Sequence, residues 1–151
     1  MRKESLYLDT SVPNAYYDKR DPNIQKETIY FFKKKIKEYE VYVSEITVGE
    51  LRRTREILKR TQLLALVEGI TVLSRTKEAE ELADLYVRYK IIPLRDKGDA
   101  LHIAIATLNM IDILVSWNFE HMVKRKTKLE VNAVNILQGY KTIEIVSPQE
   151  I

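Results

Sequence analysis

Apolar residues along the chain fall into short unbroken runs that alternate with longer stretches of helical spacing. SLYL at 5–8, VYVS at 41–44, ITVL at 70–73, DILVS at 112–116 and IEIV at 143–146 read as strands. Between them, NIQKETIYFFKKKIKEY places Ile24, Ile29, Phe32 and Ile36 near one helix face. The pattern from Ile46 to Leu58 predicts a helix, with a second running on towards Val67. KEAEELADLYVRYK carries Ala79, Leu82, Leu85 and Tyr86 on one side, and DALHIAIATLNM predicts an apolar helix opened by Asp99. The intervening IIPLRDKG reads as a loop, and Pro13 suits the first turn of a short helix after the first strand. Strands alternating with helices predict an α/β domain whose parallel sheet is covered on both faces.

The 151 residues suit a single domain spanning the chain, large enough to bury one core. With 4 Gly and 4 Pro there is no obvious linker. No apolar run approaches the ~20 residues of a membrane span. The start, MRKESLYLD, has no apolar core of a secretory signal. The absence of cysteine excludes disulfides, thiolate metal sites and cysteine nucleophiles, and fits a cytoplasmic protein. A net charge of +3 permits an anionic partner without demanding one. Its distribution says more: Arg52, Arg53, Arg55, Lys59 and Arg60 crowd one segment, and Lys124, Arg125, Lys126 and Lys128 another. Each cluster reads either as a solvated face or as a surface for an anion.

Ligands of open parallel sheets sit beyond the carboxyl ends of the strands. Asp9 ends the first strand, and Ser116 to Asn118 end a later one. Glu50 lies early in a helix, and Asp99 heads another. These groups, with Glu120, converge on one sheet edge if the sheet is parallel. Clustered carboxylates need a raised pKa or a bound cation, and oxygen donors without cysteine suit Mg2+ or Mn2+ better than Zn2+. Local accounts compete with this. Asp99 suits the dipole of a helix start. Glu50 and Arg53 suit a surface ion pair. Asp9-Thr10-Ser11 suits a helix cap. His102 reads as a hydrogen-bonded core residue, and Trp117 as core or as a platform for a base. A haloacid-dehalogenase-type phosphatase needs a second Asp where Ser11 stands, and a dinucleotide fold needs a glycine-rich turn that residues 9–17 lack.

LYLDTS, SEITVGEL, DALHIAIAT and DILVSWNFEHM, in this order, resemble the successive motifs of PIN-domain nucleases, and among them the VapC-like toxins of toxin–antitoxin pairs. The resemblance runs over nearly the whole chain, to GYKTIEIVSPQE. It implies a three-layer α/β sandwich, with a central parallel sheet of four or five strands between helices. It implies an endoribonuclease dependent on Mg2+ or Mn2+, often a homodimer, with a small antitoxin protein bound over the site. Asp9, Glu50 and Asp99 match the metal-holding acids, and Asn118 stands where many members carry a fourth. Thr10 or Ser11 matches a supporting hydroxyl, and Arg52 and Arg53 are placed to hold the RNA backbone. Glu120, two residues after Asn118, would share its side of a continuing strand and substitute for the missing charge; Asp96 is another helper. An amide at 118 brings no negative charge, so a second reading stays open: a PIN domain that has lost its chemistry and serves as an RNA-binding or protein-interaction module.

Overall fold

A computed structural model describes residues 2–151. Five strands form one parallel sheet in the order β3-β2-β1-β4-β5. They are β1 (Ser5–Leu8), β2 (Glu40–Ser44), β3 (Thr71–Leu73), β4 (Ile113–Val115) and β5 (Glu144–Val146). The chain builds β1, β2 and β3 outwards, then returns to the other side of β1 for β4 and β5. The order therefore reverses between β1 and β4, and the carboxyl ends of these two strands flank a crevice. Leu6 pairs with Ile113 and Leu8 with Val115 across it.

Alternation along β1 assigns the two faces. Tyr7 packs with Ala79, Leu82 and Tyr86 of α5 (Lys77–Arg88), with α6 (Lys97–Leu108) and with Val131 of α7 (Arg125–Leu137). Leu6 and Leu8 face the other way, onto Val12 of α1 (Ser11–Tyr16), Phe31 beyond α2 (Pro22–Tyr30), Leu51 of α3 (Glu45–Arg52) and Leu63 of α4 (Ile57–Val67). The three-layer α/β sandwich with helices on both faces is as the sequence predicts. Among the described residues no helix is long and apolar enough to cross a membrane.

Three elements depart from the sequence expectation. The helix predicted from Ile46 to Leu58 stops at Arg52, and α4 starts afresh at Ile57. Arg52, Arg53, Arg55 and Glu56 between them are exposed, so no apolar position docks that stretch as helix. The loop read over 91–98 tightens into a 3-10 turn at Leu94–Asp96, and α6 already begins at Lys97. Asp99 is thus the third residue of its helix rather than the opening one. The helix α7 has no counterpart in the expected pattern, because its buried stripe is half polar: Thr127, Val131, Val134 and Asn135. It ends in a Schellman motif, with Tyr140 N–H on the Asn135 carbonyl and Gly139 at φ +81°, a conformation glycine adopts without strain.

Candidate active site

The carboxyl ends of β1 and β4 carry Asp9 and Asn118, and Asp99 interacts with both. Asp9 leaves β1 with its N–H still donating to the Val115 carbonyl, which fixes the carboxylate at the mouth. Only 3% of it is exposed. Its Oδ1 accepts the Ser11 N–H and hydroxyl, and its Oδ2 accepts the Ser116 hydroxyl. Burial pushes the Asp9 carboxyl above its ordinary value, and the His102 charge and the serine hydrogen bonds only partly offset this. Thr10 and Ser11 do not cap α1 with their side chains; they serve acids instead. Ser11 also accepts the Trp117 N–H at 2.8 Å, tying the two strand ends together.

Glu50 sits on the last full turn of α3, its side chain 34% exposed. No ion pair within 4 Å forms with Arg53. Its Oε1 instead accepts Thr10 Oγ1 at 2.6 Å and His102 Nε2 at 2.8 Å. Burial alone raises the Glu50 carboxyl, but the His102 hydrogen bond and charge, then Thr10 and Arg53, outweigh it and leave the pKa below the ordinary value. His102 is a buried, hydrogen-bonded residue, as expected, with a role at the site that periodicity did not reveal. Its Nδ1 lies 2.6 Å from the Tyr7 hydroxyl, which lies 2.6 Å from Ser44 Oγ.

Asp99 projects from the first turn of α6. Its pKa is pushed up to about 6, first by burial, then by the charges of Asp9 and Asp96, against the pull of His102 and His121. Asn118 Nδ2 donates to Asp99 Oδ2 at 3.0 Å. The Asn118 amide oxygen accepts the His121 N–H at 2.9 Å, so this side chain presents a donor to the crevice rather than an oxygen. Glu120 is placed differently from the sequence expectation. The chain leaves β4 at Val115 and turns, with the Met122 and Val123 N–H groups on the Asn118 carbonyl. No strand continues to carry Glu120 back to the site, and its side chain is 79% exposed, beside His121. Asp96 does stand near Asp99, and its buried Oδ2 makes no hydrogen bond but faces His121 Nε2 at 3.2 Å and Arg95 Nε at 3.5 Å. Trp117 is half-buried, packs against the α1–α4 layer and donates to Thr28. Arg53 lines a cavity of about 310 Å3 with Gly49, Glu50, Arg75, Lys97 and Gly98, while Arg52 is exposed outside it. Ser116, His102 and His121 are the site groups that a motif reading passes over. A serine directly after a buried strand and a histidine three residues after Asp99 were the available signals.

The fit of these groups to a hard divalent cation has two parts. In kind they fit: the donors are carboxylates, and two of them carry raised pKa values. A cation would relieve both. In pose they are spread. Among the described residues no three acidic or imidazole side chains stand close enough to share one ion. Glu50 keeps one oxygen on Thr10 and His102, and its other oxygen makes no hydrogen bond.

A PIN-domain family model matches residues 6–129, and the chain belongs to this family. Three solved structures share the fold at low identity. VapC20 of Mycobacterium tuberculosis, described as a toxin that cleaves the sarcin–ricin loop, is 17% identical with a TM-score of 0.62, over 92% of this chain and 98% of its own. VapBC2 of Rickettsia felis, bound to a DNA fragment from its promoter, is 10% identical with a TM-score of 0.57, over 95% and 98%. VapBC-5 of Mycobacterium tuberculosis, a member of the VapBC toxin–antitoxin systems, is 17% identical with a TM-score of 0.53, over 95% and 98%. A search of the curated proteins finds no match.

Proposed function

We propose that this PIN domain is an endoribonuclease that hydrolyses RNA phosphodiester bonds with Mg2+ or Mn2+. The observation that carries the reading is a pair of carboxyls beyond the sheet's switch point, Asp9 and Asp99, both raised chiefly by burial, with the Asp9 charge raising Asp99 further. Asp9, Asp99 and Glu50 would hold the ion. When bound, it lowers the pKa of a water and polarises the scissile phosphate. The chain supplies the rest. Ser11 and Ser116 lock Asp9 in one rotamer. Asn118 orients Asp99 without adding charge. Arg53, on the cavity beside Glu50, offers a cation to the RNA backbone, whereas Arg75 and Lys97 on the same cavity are paired with Glu80 and Asp84. A small antitoxin partner and a homodimer are proposed with it, on the likeness to two VapBC structures and the family resemblance.

The donor orientation of Asn118 and the spread of the acids favour a second reading, a binding module without chemistry. Cleavage separates the two. Purified protein is incubated with a mixed RNA pool in Mn2+ and in a chelator, beside Asp9→Asn and Asp99→Asn. The nuclease reading expects cleavage in Mn2+ by the wild type alone. Wild-type rates in both folded variants place the chemistry elsewhere, and RNA retention without cleavage supports the module.

A further inference from the structure

We infer that His102 is a positioning residue for Glu50: it clamps one carboxylate oxygen so that the other is presented to the head of α6, where Asp99 stands. The inference rests on the metal-site reading above. The histidine is 2% exposed, and every polar group it meets is named by the hydrogen-bond pattern. Ser44 Oγ accepts the Ile46 N–H at 3.1 Å, which frees its own hydrogen for the Tyr7 oxygen. Tyr7 then donates to His102 Nδ1. In a neutral ring that ordering leaves the proton on Nε2, aimed at Glu50 Oε1, and in a charged ring, with Nδ1–H donating to Tyr7 instead, Nε2 carries a proton there as well. Thr10 donates to the same oxygen and lies 3.3 Å from Nε2.

Two donors on Oε1 fix the plane of the carboxylate and leave Oε2 unclaimed. Oε2 faces Gly98, where a Cβ built on the backbone would lie 3.6 Å from it. The free oxygen therefore lies against the residue that precedes Asp99. The chain runs from the capped start of α3 (Ser44), through the central strand (Tyr7), to α6 (His102) and back to α3 (Glu50). It joins three elements that carry the acids. A hydrophobic residue at 102 would fill the same space on a helix otherwise lined with Leu101, Ile103 and Ile105, so packing alone does not call for imidazole. The clamp does for Glu50 what partners behind a metal ligand generally do, holding it in the binding pose at a value of about 10–100-fold in affinity.

Two substitutions divide the histidine's two contacts. His102→Gln extends far enough to keep an N–H near Nε2 for Glu50. His102→Asn keeps a polar atom near Nδ1 for Tyr7 but falls short of Glu50. Mn2+ binding to the metal-stripped full chain is measured by titration calorimetry, with melting temperatures as the check on folding. His102→Asn is expected to weaken Mn2+ binding about 10-fold or more, and His102→Gln to stay within about threefold of wild type. In a Glu50→Gln background, adding His102→Asn should change nothing further, since the histidine acts only through that carboxylate. Equal affinities of wild type, His102→Asn and His102→Gln overturn the inference alone. So does a loss by His102→Asn that persists undiminished in the Glu50→Gln background. A wild type that binds no Mn2+ at millimolar concentration overturns the metal-site reading and the clamp with it.

Discussion

Replacing Asp99 with Asn should stabilise the metal-free fold while removing its response to metal. Asp99 has its carboxyl raised from 3.8 to about 6 by burial and by Asp9 and Asp96. A carboxyl raised in the folded state contributes stability that is fully present below its unfolded value of 3.8 and lost as pH rises through about 6. At pH 7.5 that loss is complete. A rise from 3.8 to about 6 corresponds to at most about 3 kcal/mol. Asp99 is only partly buried, so solvent screening brings this to about 1–2 kcal/mol. The amide is isosteric and can still accept from Asn118 Nδ2. For a domain of this size Asp99→Asn should melt about 2–8 °C higher than wild type in chelator at pH 7.5. The gap should narrow towards pH 4, where the wild-type carboxyl is neutral in the folded protein. Excess Mn2+ should raise the wild type and leave the variant unmoved. Thermal melts at two pH values, with and without Mn2+, read all of this. A variant that melts at or below wild type in chelator at pH 7.5, or a gap that does not change with pH, refutes the electrostatic account.

Asn118→Asp sets a carboxylate where the amide now donates 3.0 Å from Asp99 Oδ2; it should lower the metal-free melting temperature and enlarge the gain on adding Mn2+, and an unchanged melt in chelator would show that the two groups do not meet. Tyr86→Phe removes the hydroxyl that donates to the buried Asn135 oxygen between α5 and α7; urea unfolding should show a loss of about 1–3 kcal/mol, with Mn2+ affinity unaltered. Asp112, at the amino end of β4, accepts the Ser5 N–H and hydroxyl and pairs with Lys141 and Arg2. The Lys141 hydrogen bond, against some burial and with help from Ser5 and Arg2, holds its carboxyl well below the ordinary value. Asp112→Ala should cost about 2–4 kcal/mol near neutral pH, and the difference from wild type should shrink only below pH 3.8, where the carboxyl of the unfolded chain takes up a proton while the native one stays ionised.

The layers of the fold were legible because burial on both faces demands continuous apolar strands, and SLYL and DILVS meet that demand. Asp9 was legible for the complementary reason: a charge closing a buried strand needs a purpose at the strand's end. What escaped the pattern was structure held by polar contacts. The buried stripe of α7 includes Thr127 and Asn135, while its Leu129, Ile136 and Leu137 are exposed, so periodicity points away from the true face. The break after Arg52 follows from a lack of anything to bury rather than from a Gly or Pro signal. Glu120 was misplaced because spacing was read as strand, whereas the chain turns under hydrogen bonds to the Asn118 carbonyl. The roles of Ser116 and His102 depend on which strands are neighbours, and the β1–β4 adjacency is a property of topology rather than of local sequence.

Crystals grown in Mn2+ and measured at an energy where the metal scatters anomalously would locate the ion itself. One strong anomalous peak is expected at the carboxyl ends of β1 and β4, bound by Asp9 and Asp99 at about 2.0–2.2 Å, with the unclamped oxygen of Glu50 turned towards it. A crevice without a peak at millimolar Mn2+, or a peak only at an unrelated acidic surface such as Asp112, would contradict the metal-site reading and leave the fold as a scaffold for binding.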